Sequence, residues 1–205
     1  MTLRRLTVAT EQPYDVVLGH GALAELPAIV TRDVERIALV HAPHVSGIAQ
    51  SVAAQFPDRT VITIPAPDGE NAKTIDFVSA AWSTLGAAGF TRSDLVIGIG
   101  GGATTDVAGY IAASWLRGIR FITVPTTILA MVDAAVGGKT GINVPAGKNL
   151  VGAFHEPIGV ICELSVLGGL PPREISGGLA EVVKCGFIAD PSILDDIEDN
   201  AAAAQ

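Results

Sequence analysis

Between Tyr14 and Cys162, short apolar runs alternate with longer stretches of helical periodicity. Tyr14–Leu18, Arg36–Val40, Thr60–Ile64, Leu95–Ile99, Phe121–Val124 and Ile158–Cys162 read as strands, rich in Val, Ile and Leu. Ala22–Val30, Val45–Phe56, Ala72–Ala88 and Thr104–Leu116 read as helices, and Gly89 closes the third. This βαβαβ order predicts a parallel sheet with helices on its faces, and such sheets bind ligands beyond the C-terminal ends of their strands. From Val136 to Gly152 the pattern changes to glycine and lysine, and a hairpin or loop folded over a ligand is expected there. After Pro171-Pro172 the chain turns helical, so a boundary is placed near Leu170, dividing an α/β domain, 1–170, from the start of a helical domain, 171–205. Asp190-Pro191 reads as the opening of a further helix, with Asp195 and Asp196 early in it. That helix runs into the final alanines with no stop signal, the pattern expected of a chain interrupted partway.

Composition narrows the class. The chain has 205 residues, 49% of them hydrophobic and 5% aromatic, with a formal net charge of −8. That fits an α/β enzyme and argues against nucleic-acid and anionic-membrane binding. Two cysteines without CxxC spacing read as reduced thiols. The N-terminus lacks the apolar core of a signal peptide, and a cytoplasmic location is expected.

The densest chemistry lies between Gly100 and Asn149. Gly100-Gly101-Gly102 follows a strand and precedes a helix, with Asp106 expected in the first helical turn. A turn of this kind presents backbone N–H groups and a helix N-terminus to a pyrophosphate. It lacks GxGxxG spacing, so a plain strand-to-helix turn reads as well. Arg117, Thr126, Thr127, Asp133, Lys139, Lys148 and Asn149 interrupt otherwise apolar sequence, which points to an anionic, hydroxyl-rich ligand. GGKTG around Lys139 looks like the end of a phosphate-binding P-loop, but the motif's earlier glycine is missing. Glu181 and Lys184, three apart on one helical face among small and apolar neighbours, form either an ion pair or a carboxylate free to bind metal. A zinc site needs about three protein ligands, and no histidine completes one visibly.

Taken together, PDGENAK, GGGATTDVAG, WLRGIRFITVPTTILAMVDAAVGGKTGIN, AGKNLVGAF and LPPREISGGLAEVVKCG resemble the 3-dehydroquinate synthase family over essentially the whole chain. The fold this implies is α/β: a Rossmann-like parallel sheet with flanking helices, followed by the beginning of an all-helical domain. The implied activity is conversion of a seven-carbon keto-sugar phosphate, 3-deoxy-arabino-heptulosonate 7-phosphate, to 3-dehydroquinate with phosphate release in the shikimate pathway. NAD and a divalent metal, zinc or cobalt, are the implied cofactors, and a homodimer the implied assembly. Carried over by motif, NAD contacts fall on Asp68, Gly69, Glu70, Lys73, Gly102, Ala103, Thr104, Thr105, Asp106, Thr126, Thr127, Lys139 and Lys148, and on Val166, Leu167, Gly168 and Gly169. Substrate contacts fall on Arg117, which reaches a partner subunit, and on Asp133, Lys139, Asn149 and Lys184. The metal carboxylate falls on Glu181. His41 stands where the family often has an acidic residue for the ribose. Another sugar-phosphate cyclase, a metal-dependent polyol dehydrogenase and a non-catalytic NAD-binding fragment are the competing readings. Polyol dehydrogenases usually carry lysine where this chain has Gly109.

Overall fold

A computed structural model describes residues 3–200. Met1, Thr2 and the closing run 201–205, on which the expectation of an interrupted last helix rests, lie outside the described residues. The strands are β1 (Arg4–Val8), β2 (Tyr14–Gly19), β3 (Arg36–His41), β4 (Thr60–Pro65), β5 (Leu95–Gly100), β6 (Arg120–Pro125), β7 (Lys139–Val144), β8 (Gly147–Phe154) and β9 (Gly159–Glu163). Seven of them form one sheet in the order β1-β2-β9-β6-β5-β3-β4, and β7 and β8 pair as a separate antiparallel hairpin. Within the large sheet only β1–β2 is antiparallel.

The α-helices are α1 (Leu26–Ile29), α2 (Ser46–Ala53), α3 (Ile75–Ala87), α4 (Gly102–Ser114), α5 (Pro172–Ile188) and α6 (Ser192–Asp199). Successive strand residues point to opposite faces, so the sheet feeds two cores. Ile37, Leu39, Leu95, Ile97 and Ile122 meet Leu26, Ala49 and Val52 on one face. Ala38, Val40 and Val96 meet Val78, Leu85, Val107 and Ile111 on the other. β5 is buried along its whole length, as a strand covered on both faces must be, and its apolar run follows from that. The order turns between β3 and β5: the chain leaves β3 for β4, then returns past β3 to β5. That is a topological switch point, with a crevice beyond the strand ends.

The expected strands all form, and the structure adds β1. Both faces of β1 are largely exposed, so its sequence RRLTV carries no alternation of buried and exposed positions to reveal it. Arg5 ties it down through Asp15 at 3.0 Å and Glu25 at 2.9 Å. The helix expected over Ala22–Val30 is instead a 3-10 turn, Ala22–Glu25, followed by the single turn of α1. Pro27 has no N–H to continue an α-helix from Ala22, which explains the break. β2 pairs with β9, Asp15 facing Gly159, so one of the earliest strands closes against the last. The hairpin lies across α4, where a Cβ at Gly109 would sit 2.5 Å from Thr140 Cγ2. α6 opens at Ser192 with Pro191 as its N-cap and no side-chain cap, and Asp190 just before it accepts from the Ser192 N–H at 3.1 Å.

Candidate functional site

Two of the three glycines at the end of β5 leave little room for a side chain. A Cβ on Gly100 would meet the Thr104 side chain at 2.8 Å, and one on Gly102 would meet Ala134 Cβ at 3.2 Å. α4 starts at Gly102, two residues earlier than expected, with Gly101 as an N-cap that supplies no side-chain hydrogen bond. Asp106 therefore falls in the second turn of α4 rather than the first. Thr126 follows β6, and its N–H donates to the Gly100 carbonyl at 2.9 Å. Its Oγ1 is buried without a hydrogen-bond partner. A buried hydroxyl left unpaired costs free energy, and this one stands beside an uncapped helix start. Thr127 Oγ1 accepts from the Ala130 N–H at 3.2 Å, opening the helical stretch that contains the π-turn Ala130–Ala134. Thr104 and Thr105 are buried inside α4, and Thr105 Oγ1 donates to the Gly102 carbonyl at 2.9 Å. Ala103 lies between Gly102 and Thr104 at the helix start.

Behind the turn, Lys73 is 2% exposed. Its Nζ donates to Asp106 Oδ2 at 2.5 Å and also to Asn149 Oδ1. Burial raises the Asp106 carboxyl above its usual range, and the Lys73 ammonium offsets only part of that rise. Asn143 donates to Glu70 Oε2 at 2.7 Å, and its Oδ1 accepts from the Asn149 N–H at 3.0 Å. Asn143 was absent from the sequence reading; its place inside GKTGIN is the one signal it gives.

A cavity of about 450 Å³ opens between α4, the π-turn and the hairpin, lined by Asp106, Asp133, Lys139, Thr140, Asn149 and Phe154 among others. Lys139 Nζ stands 3.9 Å from Asp133 Oδ1, and Lys148 Nζ stands 3.9 Å from Glu70 Oε2. Both ammonium groups are largely exposed, so neither loose pair fixes its lysine. The glycine loop before β7 is anchored by Tyr14, whose hydroxyl accepts from the Gly137 N–H at 2.9 Å.

Arg117 lies in a turn where Leu116, Arg117 and Gly118 all have positive φ, at 50°, 67° and 118°. The turn leaves Arg117 exposed, away from the cavity lining. Glu181 and Lys184 form an ion pair on α5, with Glu181 half-buried and Lys184 exposed. Among the described residues no group of three His, Cys, Asp or Glu could hold a metal. One carboxylate already paired with a lysine does not make a metal centre. His155 supplies no second ligand: its Nε2 bonds to the Ile119 carbonyl at 2.7 Å, and its ring stacks on Phe121 at 5.3 Å. Leu179, Val182 and Val183 are half-buried, whereas Phe187 and Ile188 lie open on α5.

At the far end of the crevice His41 closes β3, buried, with Nδ1 3.0 Å from the Ala42 carbonyl oxygen. Asp68 and Gly69 are exposed, with Asp68 3.7 Å from His44. Val166, Leu167, Gly168 and Gly169 lie in the 3-10 segment Leu164–Gly169. Glu163, absent from the sequence reading, organises this end. Its carboxylate accepts from the N–H groups of Gly21 at 3.0 Å, Leu23 at 3.3 Å and Ser165 at 3.2 Å, and from the Ser165 hydroxyl at 2.8 Å. Burial pushes the carboxyl up, and these donors outweigh it and hold the group below its ordinary range. Its signal was a lone carboxylate ending an apolar strand. The two cysteines are free thiols, and burial pushes Cys162 up to about 12.

The parallel sheet, its switch point and the side-chain-free turn define a doubly wound α/β protein of the nucleotide-binding type. The description 3-dehydroquinate synthase N-terminal matches residues 63–177. The chain belongs to the 3-dehydroquinate synthase family. It is 54% identical over 207 aligned residues to 3-dehydroquinate synthase of Thermobifida fusca, covering 100% of this chain and 56% of that one. It is 52% identical over 197 residues to the enzyme of Cutibacterium acnes, covering 96% and 53%. The chain thus spans about half the length of the curated relatives it matches. A 2-deoxy-scyllo-inosose synthase solved with carbaglucose-6-phosphate, NAD+ and Co2+ superposes at TM-score 0.81 and 30% identity, over 89% of this chain and 50% of that one. A 2-epi-5-epi-valiolone synthase from Streptomyces hygroscopicus, with NAD+ and Zn2+, gives 0.83 and 28%, over 98% and 56%. Glycerol dehydrogenase of Schizosaccharomyces pombe shares the fold at TM-score 0.64 and 22% identity, over 84% and 42%.

Proposed function

We propose that this chain is the NAD-binding portion of a 3-dehydroquinate synthase. In that reading residues 1–170 form the dinucleotide domain, and residues 171–205 begin a helical domain that carries substrate and metal contacts. The observation that carries it is the buried, unpartnered Thr126 hydroxyl beside a glycine turn crowded at Gly100 and Gly102. A dinucleotide pyrophosphate fits there: it accepts from the uncapped start of α4 and from Thr126 Oγ1. Bound NAD+ supplies acceptance and return of a hydride.

The chain's own groups do the orienting. Asp106 presents a partly desolvated carboxylate to the cofactor, and Asp133 and Lys139 face the cavity where sugar hydroxyls and anionic oxygens would lie. Lys139, Lys148 and Asn149 supply two positive charges and an amide from one hairpin, suited to phosphate and carboxylate. Lys184 adds a cation from α5, and Arg117, turned outward, suits a site shared with a second copy in a homodimer. Glu181 can give one ligand to a divalent metal, and the described residues do not complete the site. The substrate in this reading is 3-deoxy-arabino-heptulosonate 7-phosphate, converted with phosphate release in the cytoplasm, within the shikimate pathway.

Calorimetric titration with NAD+ tests the first half of this reading. The 205-residue chain is expected to bind NAD+ measurably and, on its own, to release no phosphate from the heptulosonate when Zn2+ is added. No detectable NAD+ binding would overturn the dinucleotide assignment. Metal-dependent turnover by this chain alone would overturn the assignment of its metal ligands.

A further inference from the structure

We infer that Lys73 is a positioning residue: it holds the β7–β8 hairpin against α4 by sharing one buried ammonium between Asp106 and Asn149. The family motif makes Lys73 a cofactor contact, yet its side chain is 3% exposed and the cavity lining does not include it. Lys73 therefore acts on a ligand through the two groups it holds, Asp106 and Asn149, both of which line the cavity.

The residue grips the hairpin twice. Its backbone carbonyl accepts from the Asn143 N–H of β7 at 2.8 Å, and its ammonium donates to Asn149 Oδ1 of β8. Asn149 has φ +58°, the left-handed region that asparagine adopts more readily than other non-glycine residues, and the Lys73 ammonium fixes its side chain there. The Asn143 side chain, held in turn by Glu70, supplies the other restraint. On the opposite side the ammonium meets the Asp106 carboxylate, which also feels the negative charges of Glu70 and Asp133. Without the ammonium, the half-buried Asp106 carboxylate lacks its cation and Asn149 loses its side-chain anchor. That end of the hairpin then loses a restraint, and Asn149 and Leu150 leave their places in the cavity lining. Lys73 comes from the loop after β4 and reaches across 76 residues of sequence to Asn149. It thereby makes the position of the hairpin depend on the same side chain that fixes the cofactor-side carboxylate.

This inference rests on the cleft being the ligand site, and the test uses no ligand, so the two readings fail separately. Backbone amide exchange and the Asn149 side-chain amide resonances are measured in the 205-residue chain for wild type, Lys73→Met and the charge-neutral double variant Lys73→Met/Asp106→Leu. The double variant removes the buried charges together and keeps the fold testable if the single variant unfolds. The expected result is exchange at least tenfold faster at Lys148–Gly152, with β5 amides unchanged, and Asn149 side-chain amide signals moved to the values of a solvated asparagine. Hairpin exchange within twofold of wild type, or unmoved Asn149 signals, in a folded variant would overturn the inference. So would global unfolding of both variants, because Lys73 would then support the whole domain rather than position one hairpin.

Discussion

Glu163→Ala removes the acceptor for four donors at once. Hydrogen bonds to a charged group contribute about 1.5–3 kcal/mol each, so a simple sum over Gly21, Leu23 and the two Ser165 donors would exceed about 6 kcal/mol. Two features of the structure reduce it. The Ser165 hydroxyl is on an exposed residue and turns to water freely. An open cavity of about 340 Å³ is lined by Gly21, Leu23, Glu163 and Ser165, so water can reach the freed N–H groups. The expected loss is therefore about 2–4 kcal/mol. For a chain of this length each kcal/mol moves Tm by about 2–4 °C, so the melting point should fall by roughly 4–16 °C. Glu163→Gln keeps the size and one acceptor but turns an amide donor toward N–H groups, and about 1–3 kcal/mol is expected. The pH dependence follows from the depressed carboxyl. Its contribution is full above the unfolded glutamate value of about 4.3 and disappears as pH falls through the lower folded value. The stability gap between wild type and Glu163→Gln should thus narrow below about pH 4. Urea denaturation followed by circular dichroism, repeated across pH, measures both. A Glu163→Ala stability within about 0.5 kcal/mol of wild type, the spread of ordinary surface substitutions, would refute the reasoning.

Three further outcomes are expected. Thr126→Val should leave the ligand-free chain as stable as wild type or up to about 2 kcal/mol more so, since the lost hydroxyl had no partner. The same variant should bind NAD+ about tenfold more weakly in calorimetry, one hydrogen bond's worth. Gly109→Ala places a Cβ 2.5 Å from Thr140 Cγ2 and 3.1 Å from Phe121 Cε2, a clash of about 1–3 kcal/mol. Adding Thr140→Ser removes the offending methyl and should recover at least half of that in urea melts. NAD+ affinity should decline with acid at a pH above the ordinary aspartate value of about 3.9, because Asp106 is raised; a flat profile in Asp106→Asn identifies the group.

The sheet was legible because strands covered on both faces must be apolar throughout: Leu95–Gly100 and Gly159–Glu163 show it without help from partners. β1 was not, because a strand with both faces largely open has no buried position to betray it. The glycine turn and Thr126-Thr127 could be placed at the strand ends from topology alone. What stayed hidden was pairing across distance. Lys73 and Asp106 are 33 residues apart, and each alone passes for a loop cation or a helix carboxylate. Glu163 resembled any acidic strand end until the fold brought Gly21 and Leu23 to it. The seating of α5 was hidden for a related reason: Gly178 lets that helix sit directly on Ile128 and Leu129, where a Cβ would meet Ile128 Cβ at 2.5 Å.

The pairing of β2 with β9 sets a timetable for the nascent chain. Gly21 waits for a carboxylate 142 residues downstream. At about 5–20 residues per second, synthesis leaves the β1–β2 hairpin without its neighbour for roughly 7–30 s. During that time β2 presents Val16 and Leu18 with one edge open, while β3, β4, β5 and β6 can already pair with one another. Arg4 and Arg5 on β1 guard the other edge with charge against pairing with strangers. A ribosome paused before Glu163 would therefore hold a sheet with its glycine turn formed and its first hairpin still undocked.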